Sequence, residues 1–231
     1  MIVSEELRKK HESFDPEAAV FLDYWDEKEG SKVLEVGANN SPLALMLAES
    51  GFDVTGIDLR PYDQPDSKHK HIVGDFLSMP DQWWAENRGT FDSVLCISAL
   101  EHFGLGTYEE AESSPYMDVI TSRYVWDSLK VGGCFYLSVP FGGRFIAMGK
   151  HYRVYDYAAL LDRIVQDFSL EVFSISVAEA YKMWDKVIQV GQLITMFDAV
   201  QNINGAPYIS AFLKLRKWEK KRIVKEDVTN G

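Results

Sequence analysis

Strand-like and helix-like segments alternate along the chain, and this alternation constrains the fold more than any other feature of the sequence. Residues 31–37 (SKVLEVG) predict a buried strand, and residues 42–50 (PLALMLAES) predict a helix with Pro42 at its first position. Residues 52–59 (FDVTGIDL) predict a second strand. Because a strand, a helix and a strand in succession form a βαβ unit, the sequence predicts an α/β fold with a doubly wound, mostly parallel sheet.

The same pattern continues to the C-terminal third and predicts a seven-stranded sheet in a single domain, residues 1–231. The remaining predicted strands are residues 70–73, 91–98, 134–139, 170–177 and 209–215. The other predicted helices are residues 115–129 and 157–168, after an N-terminal helical segment, residues 1–30. Residues 178–207 separate the last two strands and predict a helical insertion, which is too short to bury a core of its own.

A tight turn joins the first predicted strand to the first predicted helix, in the sequence EVGANNSP. Such a turn points backbone N–H groups and the helix N-terminus toward a ligand. Gly37 permits a close approach of the backbone, and Asn39 belongs to a residue type that adopts the left-handed conformation more easily than most. Asp58 ends the second strand, where an acidic residue holds a ribose diol in nucleotide-binding sheets. These positions predict a nucleotide-like cofactor.

Five short motifs lie in order between about residues 33 and 139. The first is Glu35-Val36-Gly37 with Asn39 and Ser41, and the second is Asp58. The others are Gly74-Asp75-Phe76, the fourth strand with its end at residues 98–102, and the turn at residues 129–133. In order and spacing they resemble the class I S-adenosylmethionine-dependent methyltransferase family. The chain departs from the family pattern at Asn39 and Ser41, which stand where the first motif has its later glycines.

The resemblance implies a Rossmann-like methyltransferase fold, S-adenosylmethionine as the cofactor, and a role for each matched residue. Glu35 would lie near the amino group of the methionine moiety, and Asp58 would accept hydrogen bonds from two ribose hydroxyls. Asp75 would accept a hydrogen bond from the adenine amine while Phe76 packs on the ring. The other predicted cofactor-binding residues are Gly37, Asn39 and Ser98. The alternative for each acid is a structural role at a strand end or as a helix cap.

Two other classes of protein use a sheet of this kind. A nicotinamide-dependent oxidoreductase has the same ribose-binding acid, but it usually carries G-x-G-x-x-G, and from Gly37 that spacing falls on Asn39 and Pro42. A non-catalytic binding protein keeps the fold without the chemistry, but here the motif acids are intact. The sequence therefore favours an enzyme that transfers methyl groups.

Candidate catalytic residues follow the fourth and fifth predicted strands. His102 is a residue type suited to proton transfer, and Glu101 could orient it or hold the acceptor; a histidine that only caps local backbone is an equal alternative. His151, in the run HYRVYD, is a second candidate. Residues 101–108 (EHFGLGTY) are similar to a run in bacterial methyltransferase-like proteins associated with surface sugars. We therefore predict O-methylation of a hydroxyl on a small molecule, a sugar or a secondary metabolite.

The net charge and the cysteine content indicate which binding partners and which cellular compartment to expect. The formal net charge of −11 repels phosphate backbones, so no nucleic-acid partner is expected. Cys96 and Cys134 lack paired spacing and predict a reducing, cytoplasmic location. The N-terminus has no signal-peptide core and no apolar run approaches the roughly 20 residues of a membrane span, so no membrane partner is expected. No metal-ligand spacing is present, which predicts a metal-independent enzyme.

Overall fold

The computed structural model describes residues 7, 16–63, 68–108, 114–143, 145–147, 152–178, 186–189 and 208–219. Its strands are β1 (Lys32–Val36), β2 (Asp53–Asp58), β3 (Lys70–Val73), β4 (Phe91–Ile97), β5 (Leu129–Pro140), β6 (Ile146–Ala147), β7 (Arg153–Val154), β8 (Phe168–Ala178), β9 (Lys186–Gln189) and β10 (Tyr208–Lys217). Its α-helices are α1 (Pro16–Asp23), α2 (Pro42–Glu49), α3 (Asp81–Asn87), α4 (Met117–Ser128) and α5 (Tyr157–Arg163). Short 3₁₀ turns occur at Phe76–Ser78, Leu100–His102 and Val165–Asp167.

One sheet of eight strands organises the molecule, in the order β3-β2-β1-β4-β5-β10-β8-β9. The pairs β3/β2, β2/β1, β1/β4 and β4/β5 are parallel. Strand β10 is antiparallel to both β5 and β8, and β9 is antiparallel to β8. The predicted α/β class with a mostly parallel, doubly wound sheet is confirmed, and the seven predicted strands are all present.

Apolar side chains cover both faces of this sheet. Alternate residues of β1 point to opposite faces, so Leu34 belongs to one core cluster and Val33 to the other. Helix α1 packs on the second face, where the Phe21 ring lies 5.1 Å from the ring of Tyr136. No helix of the described ranges is long and apolar enough to cross a bilayer.

Helix α2 begins as the sequence predicts. Pro42 is at its first position, and the side chain of Ser41 accepts a hydrogen bond from the backbone N–H of Ala44 at 3.2 Å. This N-cap satisfies one of the donors that the first helical turn leaves without a partner. The turn before α2 is thereby fixed at the end of β1.

The predicted helical insertion at residues 178–207 is wrong where the structure describes it. Ala178 ends β8, and Lys186–Gln189 is the strand β9, in which Val187 pairs with Ser176 and Ile188 with Ile175. Valine and isoleucine favour extended backbone, and the outer edge of β8 offers unpaired backbone groups to such a segment. The rest of the predicted insertion lies outside the described residues.

Candidate functional site

A cavity of about 740 Å³ lies where β1, β2 and β4 end. Strand order reverses between β1 and β4, since β2 and β3 extend the sheet on one side and β5 on the other. Ligands bind at such switch points, outside the carboxyl ends of the strands. The far wall comes from helix α4 through Met117, Ile120 and Tyr124. The volume falls within the roughly 300–1,000 Å³ typical of cofactor and substrate pockets.

Gly37 turns the chain at the end of β1. Its φ of +81° is in the region that favours glycine, and a Cβ built there would lie 2.4 Å from the Cβ of Ala99. The first turn of the motif therefore packs directly against the segment that follows β4. Only glycine permits this approach, which brings both strand ends to one cavity wall.

Two asparagines follow Gly37 closely: Asn39 lines the cavity, and Asn40 has the left-handed backbone. Asn40, with a φ of +49°, adopts the left-handed conformation that the sequence assigned to Asn39. Two hydrogen bonds to Asp63 fix its side chain. Its Oδ1 accepts from the backbone N–H of Asp63 at 3.0 Å, and its Nδ2 donates to the Asp63 carboxylate at 2.6 Å. Asn39 lines the cavity, and its backbone N–H donates to Asp58 Oδ2 at 3.0 Å. The prediction was therefore one residue out for the backbone conformation.

Asp58 lies at the end of β2 and lines the cavity with only 7% of its surface exposed. Its Oδ1 accepts hydrogen bonds from the backbone N–H and from Nε of Arg60, at 2.9 and 3.2 Å. Arg60 also lines the cavity, and its guanidinium lies 4.6 Å from the ring centre of Tyr108. Neither Arg60 nor Tyr108 was predicted from the sequence, although Tyr108 lies in the distinctive run at residues 101–108.

Asp75 and Phe76 form the wall beyond β3. Asp75 is the cap of the 3₁₀ turn, accepting from Leu77 N–H at 2.9 Å and from the Ser78 hydroxyl at 2.7 Å. Phe76 is buried against Trp84 and Tyr124. Asp75 therefore caps a helical turn, which is the structural alternative to adenine binding. Both residues also line the cavity, on the side where adenine is predicted.

Glu35 does not line the cavity, and its predicted contact with the methionine amino group stays a prediction. It is 3% exposed, and its Oε1 accepts the hydroxyl of Ser41 at 2.7 Å. Oε2 has no hydrogen-bond partner among the described residues. Burial, together with the nearby charge of Asp58, raises the pKa of Glu35 to about 7. The hydrogen bond from Ser41 opposes this rise but does not cancel it. The alternation along β1 explains the position, because Glu35 shares the face of Val33 beneath α2.

Ser98 follows β4 with an unusual backbone. Its φ is +47°, and its N–H donates to the hydroxyl of Ser138 at 3.0 Å and to the Ser138 carbonyl at 3.2 Å. Ser98 lines the cavity. A non-glycine residue held at positive φ costs free energy, and such residues cluster at functional sites.

His102 ends the 3₁₀ turn after β4 and lines the same cavity. Its side chain is 17% exposed, its Nε2 lies 3.8 Å from Glu101 Oε1, and its ring lies 4.9 Å from the ring of Tyr108. Glu101 is 2% exposed and does not line the cavity. This position favours the predicted role of Glu101 in orienting the imidazole, and both of its predicted roles stay predictions.

His151 lies outside the described residues, so the structure says nothing of the second predicted base. Its neighbours in the run HYRVYD are placed: the Tyr152 ring lies 6.3 Å from that of His102, whereas Arg153 and Tyr155 are fully buried. Nowhere in the described ranges do three His, Cys, Asp or Glu side chains lie where they could hold a metal ion.

Comparison with known families decides the class. A family model described as a methyltransferase domain matches residues 7–131, more than half of the chain. The chain belongs to the methyltransferase domain family. The predicted class, with S-adenosylmethionine as methyl donor, is confirmed at the level of the family, and the nicotinamide-dependent alternative is not supported.

Curated relatives match only part of this methyltransferase. The chain is 34% identical over 102 residues to the ubiquinone biosynthesis O-methyltransferase of Chromobacterium violaceum, covering 42% of this chain and 44% of the relative. It is 37% identical over 78 residues to the enzyme of the same name from Vibrio parahaemolyticus, covering 32% and 33%. The chain thus spans less than half the length of these relatives.

Solved methyltransferase structures share the fold. One is the 1,6-didemethyltoxoflavin-N1-methyltransferase of Burkholderia thailandensis with bound S-adenosylhomocysteine, with a TM-score of 0.56, 16% identity, and coverage of 88% of this chain and 77% of that one. Another is the phosphoethanolamine N-methyltransferase 2 of Haemonchus contortus with S-adenosyl-L-methionine, with a TM-score of 0.57, 13% identity, and coverage of 88% and 52%. At these identities the likeness shows the fold.

Proposed function

We propose that this methyltransferase methylates a hydroxyl group of a small polar molecule, a sugar or a secondary metabolite, with His102 as the general base. One observation carries the proposal: His102 lines the same cavity as Asp58, and Oε1 of the buried Glu101 lies 3.8 Å from Nε2 of its imidazole. A hydroxyl acceptor needs a base, whereas an amine that is nucleophilic at neutral pH does not. The O-methyltransferase names of the partial relatives agree with a hydroxyl.

The residues on the β2 and β3 side of the cavity fit the cofactor. The carboxylate of Asp58 suits the ribose hydroxyls, and Asn39, Gly37 and Ser98 form the adjoining wall. Asp75 and the buried ring of Phe76 suit the adenine amine and ring. When bound, S-adenosylmethionine supplies an electrophilic methyl group that leaves its sulfur as the acceptor oxygen attacks.

The residues after β4 would handle the proton of the acceptor. His102 takes the hydroxyl proton onto its imidazole, and the nearby carboxylate of Glu101 stabilises the imidazolium that forms. Burial of Glu101 strengthens this effect, because little water screens the two groups. Since the cavity fixes both reactants, positioning supplies much of the remaining rate.

A small molecule is also the partner that the charge of the protein favours. The net charge of −11 repels nucleic acids, and we propose no nucleic-acid or membrane partner. Cys96 and Cys134 are buried thiols, which fits the cytoplasmic location that we propose.

Substitution of His102 tests the proposed chemistry. His102→Ala should lower turnover at saturating acceptor by roughly 10²–10⁴, the usual contribution of a general base. Binding of S-adenosylhomocysteine should stay the same, because Asp58 and Phe76 are untouched. His102→Gln is the matched control, because its side chain is of similar size and forms hydrogen bonds but cannot take up the proton, and it should be equally slow. Turnover is measured by transfer of labelled methyl groups to a panel of hydroxyl-bearing metabolites.

The contrary outcomes are distinct. Near-normal turnover in His102→Ala would show that His102 is not the base, and His151→Ala would then be compared. If His102 is the base, His151→Ala should mainly weaken acceptor binding. Labelling of amines and not hydroxyls contradicts O-methylation. Cofactor binding without transfer to any acceptor favours a non-catalytic binding protein.

A further inference from the structure

Two runs that are distinctive in the sequence meet inside the protein. One is residues 101–108, after β4, and the other is residues 152–156, which contain β7. Nη1 of Arg153 donates to the carbonyl oxygens of Glu101 and Phe103, at 3.2 and 2.9 Å. These two carbonyls stand on either side of His102. A single guanidinium nitrogen therefore holds the backbone before and after the proposed base.

Arg153 has no exposed surface, so this contact is made in the interior. Its Nε lies 3.9 Å from Asp118 Oδ2, beyond hydrogen-bond distance, and Nε and Nη2 have no hydrogen-bond partner among the described residues. A buried charge with incomplete hydrogen bonding is expensive, and an apolar replacement of a buried ion pair is often no less stable. Stability alone is therefore a poor reason for an arginine at this position.

Asp118 connects the arginine to the cavity wall. It is fully buried on α4, the helix that also contributes Met117 and Ile120 to the cavity. Its carboxylate accepts the hydroxyl of Tyr155 at 3.0 Å and Nε of Arg163 at 2.8 Å. The turn that carries His102 and the helix opposite it are thus attached to the same buried charge cluster.

We propose that Arg153 is a positioning residue for His102: it fixes the carbonyls on both sides of the histidine and, through Asp118, sets their distance from α4. The proposal rests on the proposed function for its effect on catalysis. Its structural part does not depend on which acceptor is used. Arg153 does not line the cavity and contacts neither reactant.

The ring of His102 gives a direct readout. Since it lies 4.9 Å from the ring of Tyr108, its C–H resonances carry a ring-current shift that changes when the imidazole moves. The 231-residue chain, labelled at histidine, contains five histidines, and loss of one signal in His102→Gln assigns that signal to His102. In Arg153→Met we expect the His102 signal to move toward its random-coil position or broaden, while binding of S-adenosylhomocysteine changes less than about twofold.

Arg163→Met is the matched control. It removes a second arginine from Asp118 without touching the carbonyls beside His102, so it should lower stability and leave the His102 signal in place. With a hydroxyl acceptor, Arg153→Met should reduce kcat by about tenfold or more with little change in KM, whereas Arg163→Met should not.

An unmoved His102 signal in folded Arg153→Met overturns the proposal, as does an equal displacement in Arg163→Met. If Arg153→Met does not fold, Arg153→Lys is judged by the same signal, because its shorter side chain cannot keep both carbonyl contacts in place. A displaced signal together with normal turnover in His102→Ala refutes the base and leaves the positioning role standing.

Discussion

At the residue scale, Asp58 accepts three hydrogen bonds from its own chain, one from Asn39 and two from Arg60. An ionised carboxylate has about four acceptor positions, so two ribose hydroxyls cannot be added unless one present donor leaves. The side chain of Arg60 is the donor most able to leave, because it is 39% exposed and its Nε bond is the longest of the three. Cofactor binding is therefore expected to move this guanidinium.

Removing the Asp58 carboxylate should weaken cofactor binding. Asp58→Ala deletes charge-assisted hydrogen bonds worth roughly 1.5–3 kcal/mol. Affinity for S-adenosylhomocysteine should fall by about tenfold or more, since 1.4 kcal/mol corresponds to a factor of ten. Isothermal titration measures the loss.

Asp92→Ala is the control for deleting a carboxylate. Asp92 binds the backbone of Lys32 and the side chain of Lys130 and does not line the cavity, so its loss should affect stability but not affinity. Equal affinities of folded Asp58→Ala and of the unsubstituted protein would rule out a ribose-binding role.

At the element scale, Glu35 links strand β1 to helix α2. Its carboxylate accepts the hydroxyl of Ser41, and the same hydroxyl oxygen caps the helix by accepting from Ala44 N–H. The pKa of this buried carboxyl is raised from its ordinary value of 4.5 to about 7. The protonation of one side chain is therefore coupled to the turn that leads from the first strand to the cavity.

This coupling predicts a pH-dependent stability that Glu35→Gln removes. Because the folded state holds the proton more tightly than the unfolded chain, this stabilisation is complete below about pH 4.5 and is lost as the pH rises to about 7. The free energy of unfolding of the natural protein should thus fall by about 2–4 kcal/mol between pH 5 and 8 relative to Glu35→Gln. Urea unfolding of both proteins across this range measures the difference. Parallel pH profiles would show that Glu35 titrates at its ordinary value.

At the scale of the whole molecule, the first five strands and their order along the chain were predictable, because alternating apolar segments report burial directly. Strand β9 was not, since its pairing with β8 depends on residues distant in sequence. Helix α3 has no buried residue, so hydrophobic spacing carries no signal for it.

Within the site, Gly37, Asp58 and His102 were predictable because their positions follow from strand ends alone. The burial of the Glu35 side chain was not predictable, because a motif does not state which face of the strand a residue occupies. Arg60 and Tyr108 were missed, since their contact joins two segments separated by 48 positions. The roles of Arg153 and Asp118 also depend on packing between distant segments.

Cofactor binding by the unmodified protein tests the central claim, that the cavity at the ends of β1, β2 and β4 is a methyl-donor site. Isothermal titration is performed with S-adenosylhomocysteine and, separately, with NAD under the same conditions. The claim predicts saturable binding of S-adenosylhomocysteine and none of NAD. Tight binding of NAD with no response to S-adenosylhomocysteine would contradict it.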